Sequence, residues 1–267
     1  MELGGQLEMV AIEIVRSAGQ LLVNRPATMK YSTKSSAVDV VTEMDNASEA
    51  LVRDYLATHR PGDGLLGEEG TDIPSSTGIT WIVDPIDGTI NYLYQLPGWN
   101  ISLAAQRAGE TLAGAVFAPL LDGGMLWSAH RGGGARLQRG AAQPLSIKAN
   151  AQVPLHLALL ATGFSYSTEI RRKQGARIAQ LIPQVRDIRR MGAAAVDLCL
   201  VASGMVDGYF EEELAPWDLA AGELIATEAG ALVTNGSGGK AGREMVVAAH
   251  PSLHSQILAL LASVAAD

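Results

Sequence analysis

Between residues 7 and 22, apolar side chains fall at Val10, Ile14, Ala18 and Leu21, with Glu13, Arg16 and Gln20 between them. That spacing predicts a helix with one buried stripe. The pattern returns over 47–58, where Ala50, Leu51, Tyr55 and Leu56 share a face; Asp45 just upstream is a candidate cap, and Pro61, Gly62 and Asp63 end the helix. A short strand at 65–67 runs directly into Glu68 and Glu69, delivering two carboxylates to a loop. The apolar run 79–83 is closed by Asp84 and Pro85, and the blocks 99–106, 114–117 and 124–128, parted by Gly, Pro and Asp, predict a meandering antiparallel sheet.

The second half changes character. Short buried strands are predicted at 158–161, 187–191 and 208–211 between helices at 168–182, 192–203 and 219–229, an alternation that favours an α/β lobe. The polar stretch 140–152, carrying Pro144, reads as the crossing between lobes, and 252–264 as a closing helix. The chain thus divides into an N-terminal α+β lobe, residues 1–145, and a smaller α/β lobe, residues 146–267.

Composition narrows the class. With 267 residues, 48% hydrophobic and only 5% aromatic, the chain has enough apolar matter for an ordinary core built from small aliphatic side chains, which suits layered α/β packing. A net charge of −8 without any dense basic run argues against direct nucleic-acid binding. The single cysteine, Cys199, lies in the apolar stretch 196–201, reads as core packing and fits a reducing cytoplasm. The stretch 9–23 is broken by Glu13, Arg16 and Gln20, so it is neither a membrane span nor a signal peptide, and a soluble cytoplasmic protein is expected.

The candidate chemistry centres on Asp84-Pro85-Ile86-Asp87-Gly88-Thr89, two carboxylates at the end of a buried strand, where α/β proteins commonly hold ligands. A helix starting at Gly88 and Thr89 would turn free N–H groups toward a phosphate. Two Asp residues alone would read as turn formers. Six such residues in a row, preceded by Glu68 and Glu69, favour a site. Carboxylates gathered at one edge repel by roughly 4 kcal/mol per pair in an intermediate dielectric. Hard cations relieve that repulsion, and five scattered His with one Cys offer no zinc-like set. The Asp-Gly-Thr segment is also similar to that of the haloacid dehalogenase phosphatases, but the position of their attacking Asp is here Pro85, which leaves direct attack by a water.

Three ordered segments, Gly67-Glu68-Glu69, Trp81-Ile82-Val83-Asp84-Pro85-Ile86-Asp87-Gly88-Thr89-Ile90-Asn91-Tyr92 and Pro216-Trp217-Asp218-Leu219-Ala220-Ala221-Gly222, give the chain a resemblance to the inositol monophosphatase family, within the lithium-sensitive, Mg²⁺-dependent phosphatases that include fructose bisphosphatases. The resemblance implies a layered αβαβα sugar-phosphatase fold, a homodimer, and two or three Mg²⁺ ions per site. It assigns Glu68, Asp84 and the Ile86 carbonyl to one ion and Asp84, Asp87 and Asp218 to a second, with Glu68 also offered to a third; only folding can bring Asp218 to the others. Thr89 and Asp45 match a pair that orients and deprotonates the attacking water, which would be activated by the metal; for Asp45 a helix-cap role serves equally well. Lys34 matches a lysine on a loop near the metals, against the plainer account of a solvated surface lysine. Glu69 is expected to support Glu68.

For substrate, Glu211 matches a carboxylate that bonds sugar-alcohol hydroxyls, and Gly192, Ala193 and Ala194 match a backbone stretch lining the same pocket, together with Asp87, Gly88, Thr89 and Asp218. Gly192 serves equally as a helix entry. Ser165 in Gly163-Phe164-Ser165-Tyr166 lacks the closing Gly of a nucleophile elbow, Ser167 standing there instead. The Gly-rich run 131–134 lacks the Lys-Ser/Thr of a phosphate-binding P-loop and reads as a hairpin turn. Arg189 and Arg190 fit either a pocket or an interface. The expected activity is hydrolysis of a small phosphate monoester, myo-inositol monophosphate or a similar polyol or sugar phosphate first; the alternatives are fructose bisphosphate, histidinol phosphate or an adenosine phosphate in the same site. A second class is a protein that binds transcription machinery.

Overall fold

Capping and apolar alternation account for the elements of the computed structural model, which describes residues 2–34, 36 and 38–264. Helix α1 (Leu3–Val23) buries Leu7, Ala11, Ile14, Ala18 and Leu22; of the predicted stripe Ile14 and Ala18 are buried, while Val10 and Leu21 are half-buried at its margin. A hairpin not foreseen from the pattern follows, β1 (Tyr31–Thr33) and β2 (Val40–Thr42). Helix α2 (Glu43–His59) begins earlier than predicted because Thr42 is its cap: the Thr42 hydroxyl accepts from the Met44 N–H at 3.2 Å. Asp45 is therefore not the cap. It sits in the first turn and accepts from the Thr42 N–H at 2.8 Å, the returning half of a capping box.

Eight strands make the first sheet: β3 (Gly64–Gly67), β4 (Asp72–Ile73), β5 (Ile79–Asp87), β6 (Asn100–Arg107), β7 (Glu110–Ala118), β8 (Met125–His130), β9 (Ala135–Arg139) and β10 (Leu145–Ser146), in the order β10-β9-β8-β7-β6-β5-β3-β4. The run from β5 to β10 is the antiparallel meander, while β3 lies parallel to β5. A short helix, α3 (Thr89–Leu93), follows β5. The Gly-rich run turns β8 into β9, and Glu228 accepts from the Gly132 and Gly134 N–H groups at 2.8 and 2.9 Å.

The second sheet holds β11 (Leu159–Thr162), β12 (Asp187–Arg189), β13 (Gly208–Glu211), β14 (Leu232–Thr234) and β15 (Val246–Ala249), ordered β12-β11-β13-β15-β14. Its helices are α4 (Thr168–Leu181), α5 (Ala194–Ala202), α6 (Pro216–Glu228) and α7 (Pro251–Ser263).

Side-chain alternation sorts these elements into five layers. Trp81 and Val83 pack with α1 and α2, while Ile82 between them joins the opposite face with α5 and α6. In β15, Val246 and Ala248 face that same central helix layer, and Val247 and Ala249 pack against α7 with Leu181 of α4. The result is an α/β fold layered αβαβα. Central helix α5 is buried along its whole length, as a helix between two sheets must be. Small residues let α6 approach the first sheet: a Cβ on Gly114 of β7 would lie 3.1 Å from the Ala221 Cα. No described helix is long and apolar enough to cross a membrane.

Candidate active site

Residues three apart on a regular strand point to opposite faces. Asp84 and Asp87 escape this because β5 is irregular between them: Asp84 pairs with Ser102 and Asp87 with Asn100, so β5 spends one more residue than β6 and both carboxylates reach one side. Pro85, which has no N–H for a ladder, sits within that bulge. The parallel pairing of β3 with β5 sets Gly67 beside Val83, which brings Glu68 next to Asp84; the Glu68 N–H donates to the Val83 carbonyl at 3.3 Å. Asp218 arrives from the other half of the chain, in the first turn of α6, where the Ser102 hydroxyl holds the Trp217 carbonyl at 3.3 Å.

Asp218 uses the same local device as Asp45. One oxygen accepts from the Ala215 N–H at 2.7 Å, so each carboxylate is anchored by its own helix start and keeps an oxygen for the site. For Asp45 that oxygen accepts from the Thr89 hydroxyl at 3.2 Å, and the same hydroxyl lies 3.1 Å from the Ile86 carbonyl. Asp87 is fixed by three donors: the Asn100 amide at 2.8 Å and the N–H groups of Ala195 and Ala194 at 2.9 and 3.2 Å. Lys34 reaches Glu68 at 2.9 Å and Glu69 at 2.6 Å, so it is not a freely solvated lysine. Glu49 supports the same loop by accepting from the Glu69 and Thr71 N–H groups.

The electrostatics are those of negative charge in excess. Burial pushes the Asp84 carboxyl well above the usual range, and Glu68, Asp87 and Asp218 push it the same way. Asp218 is driven well up by burial and by Asp87. Asp87 rises to about 6 through burial, against the pull of Asn100 and Ala195. Asp45 rises to about 6, again through burial, with the Thr42 bonds opposing. Glu69 is pushed up to about 7 by burial, with Lys34 opposing. Burial disfavours the Lys34 ammonium, yet Glu68 and Glu69 outweigh it and hold its pKa up.

Beside the cluster lies a cleft of about 440 Å³ whose walls include Asp87, Gly88, Asp218, Glu211 and the 192–194 stretch. Glu68, Asp84 and Thr89 are outside its walls. Glu211 is held by the Tyr209 hydroxyl at 2.7 Å and fills space left by Gly163, where a Cβ would fall 2.0 Å from its oxygens. Burial lifts the Glu211 carboxyl to about 7, with Tyr209 and Arg190 opposing. Arg190 lines the cleft, whereas Arg189 is outside its walls and pairs with Asp187 at 2.6 Å. Ser165 is in the wall but its N–H serves Gln174 at 3.0 Å and its hydroxyl oxygen accepts from the Ser167 N–H at 3.1 Å, which gives it no base. Cys199 is buried in the central core. Asn100, Glu49, Tyr209 and Gly163 escaped the sequence reading; of these only Asn100, a polar residue opening an apolar strand, left a signal there.

All donors here are oxygens, and among the described residues only Lys34 offsets the cluster directly. That chemistry fits hard divalent ions. Among the described residues no three His, Cys, Asp or Glu side chains are drawn close enough to enclose one ion as they stand.

Buried carboxylates converging at a sheet edge beside a polar cleft, with a hydroxyl poised over one of them, define a hydrolase site of the phosphoester type. Over residues 5–266 the sequence matches the profile described as the inositol monophosphatase family. It is 46% identical over 237 residues to the inositol-1-monophosphatase of Mycobacterium leprae, covering 85% of this chain and 80% of that one. It is 35% identical over 256 residues to the Nus factor SuhB of Pasteurella multocida, covering 93% of each. The solved structure of Mycobacterium tuberculosis SuhB superposes with a TM-score of 0.83 at 38% identity, over 98% of both chains. The chain belongs to the inositol monophosphatase family and is a phosphoric monoester hydrolase.

Proposed function

We propose that the chain hydrolyses myo-inositol monophosphate, or a polyol phosphate close to it, with Mg²⁺ as the metal. The observation that carries this reading is the convergence of Asp84, Asp87 and Asp218: all three are pushed up by burial and by the negative charge of Glu68, and Asp87 raises the other two, which makes a site lacking positive charge. Glu68, Asp84 and the Ile86 carbonyl would hold one ion, Asp84, Asp87 and Asp218 a second, and Glu68 a third. Bound Mg²⁺ supplies Lewis-acid charge for the phosphate oxygens and lowers the pKa of a water.

The protein's own groups handle the proton and the leaving group. Thr89 has one hydroxyl hydrogen and two acceptors within reach, Asp45 and the Ile86 carbonyl. Toward Asp45 it forms a relay that takes the attacking water's proton at Thr89 Oγ1 and passes one to Asp45 Oδ1, and an Asp45 carboxyl near 6 is suited to that role. Glu211, braced by Tyr209, accepts hydroxyl hydrogens of the polyol. Asp218 reaches the cluster from the second lobe, so the two lobes, residues 1–145 and 146–267, act as one catalytic unit.

The test is phosphate release from a panel of inositol monophosphate, hexose bisphosphate, histidinol phosphate and adenosine phosphates, with Mg²⁺, with chelator, and with LiCl titrated against KCl. Release that requires Mg²⁺, favours inositol monophosphate and is inhibited by LiCl supports the reading; a large preference for another ester overturns the substrate. We further infer a homodimer, to be checked by light scattering. The relatives named Nus factor favour a second, non-catalytic role in transcription; retention of a transcription complex by an inactive Asp87→Asn variant would separate it from hydrolysis.

A further inference from the structure

Strands β11 and β13 are parallel neighbours, with Thr162 beside Phe210, and both run out at the cleft. The chain leaving β11 makes the loop 163–167 into α4, and the chain leaving β13 continues through Glu212 and Glu213. Ser165, Tyr166 and Ser167 stand in one wall of the cleft, Glu211, Glu212 and Glu213 in another. Loops that part from neighbouring strands have no ladder to keep them in step. Here a side chain of α4 supplies the tie.

Gln174 is buried in α4, and each end of its amide serves a different wall. Its oxygen accepts from the Ser165 N–H at 3.0 Å, and its nitrogen donates to Glu212 Oε2 at 3.3 Å. Arg177, one turn further along α4, holds Glu212 Oε1 at 2.8 Å, so both carboxylate oxygens of Glu212 are taken by the helix. Neither Gln174 nor Arg177 lines the cleft. The cavity among Gly163, Gln174, Arg177 and Glu212 is only about 10 Å³, room for one water at most, so these side chains shape the walls from behind. As a stabilising device the arrangement is poor: a buried amide must be desolvated, and among the described residues the buried Arg177 Nε has no hydrogen-bond partner. Apolar packing would hold α4 as firmly; what the hydrogen bonds add is a fixed distance between the two walls.

We propose, resting on the substrate reading above, that Gln174 is a positioning residue. By fixing the distance between the 163–167 loop and the 211–213 segment it selects the leaving group, favouring a ring polyol broad enough to meet both walls over a small acyclic one. A cyclic alcohol is rigid and bonds both walls only when they stand at its own width, so a loosened wall costs affinity. A three-carbon leaving group meets one wall at a time and is indifferent to their spacing. Among the described residues Gln174 bonds to none of Asp84, Asp87 and Asp218, so the effect falls on KM for the ring ester rather than on kcat.

The experiment measures kcat and KM for inositol 1-phosphate and glycerol 2-phosphate, with Mg²⁺, in the full chain as wild type, Gln174→Leu, Gln174→Glu, and Gln174→Glu combined with Glu212→Gln; circular dichroism checks folding. Gln174→Leu removes both bonds, and Gln174→Glu keeps an acceptor for Ser165 but sets a second carboxylate against Glu212. Each is expected to lower the ratio of kcat/KM for the ring ester to that for the acyclic one by about 5- to 30-fold, chiefly through KM. The double substitution restores a donor at 212 facing an acceptor at 174 and is expected to recover most of the ratio, which general damage to the fold would not allow. If Gln174→Leu does not fold, Gln174→Glu and the double substitution decide. A ratio that does not move, an equal loss on both esters, or a double variant no better than Gln174→Glu overturns the role of Gln174. A wild type that hydrolyses glycerol 2-phosphate but not inositol 1-phosphate overturns the substrate reading, and this inference with it.

Discussion

The Asn100 amide donates to Asp87 Oδ2 at 2.8 Å from the neighbouring strand, at the one place where β5 and β6 fall out of step. Asn100 is fully buried, and its bond fixes the rotamer of a carboxylate whose other contacts come from the start of α5. Asp87→Asn is expected to keep the fold and lose phosphatase activity by at least about 10²- to 10³-fold, because it removes a charge from the reacting centre and sets an amide against N–H donors. Circular dichroism alongside phosphate release checks it; near-normal turnover would refute the role given to Asp87.

Thr89 can serve Asp45 only through its hydroxyl. Thr89→Ser is expected to retain most of kcat, and Thr89→Ala to lose about 10²- to 10⁴-fold with KM little changed. If Asp45 must be ionised to accept the proton, kcat/KM of the wild type falls tenfold per unit below about pH 6. A flat profile from pH 5 to 8 would remove Asp45 from the relay.

Asp63 is a structural carboxylate far from the cleft. Burial alone would push it up, but bonds from Thr77 at 2.6 Å, the Trp81 indole at 3.0 Å and Arg60 at 2.8 Å outweigh this and hold it below its usual value. Its contribution to stability is therefore present above the unfolded carboxyl pKa of about 3.9 and lost as pH falls through the lower folded value. Asp63→Ala should cost about 1–3 kcal/mol at pH 7 by orphaning the buried Trp81 N–H, a gap that narrows below about pH 4. Urea titrations at both pH values measure it.

Asp197 is predicted to behave in the opposite sense. It is buried in α5 with no hydrogen-bond partner on either oxygen among the described residues, and burial, then Glu211 and Asp87, push it well up. A raised carboxyl gives its full stability below the unfolded pKa and loses it as pH rises toward the folded one. Asp197→Asn should gain on the wild type by roughly 1–3 kcal/mol between about pH 4 and 8. Equal pH dependence of the two proteins would show that a partner satisfies Asp197 in solution.

Much of the site was legible because its residues are consecutive. Glu68, Asp84, Asp87 and Thr89 lie in two short segments after apolar runs, and the small residues 220–222 announced a helix that crosses close to a sheet. What escaped was whatever depends on register or on partners remote in sequence. Periodicity cannot show that β5 carries a bulge, that β3 pairs in parallel, or that Thr42 rather than Asp45 caps α2. The hairpin of β1 and β2 is short and exposed along β1, and β15 is apolar on both faces, so neither bears the alternation by which strands are found.

A carboxylate that anchors a helix start and also gives an oxygen to the acidic cluster cannot be improved for one duty alone. Lengthening Asp45 or Asp218 to Glu would give each helix the residue that capping boxes ordinarily use, yet it would carry the outward oxygen away from Thr89 or from Asp87. Fraying at either helix start would release the acid it holds, so local unwinding of a single turn would silence the enzyme while leaving nearly all of the protein folded.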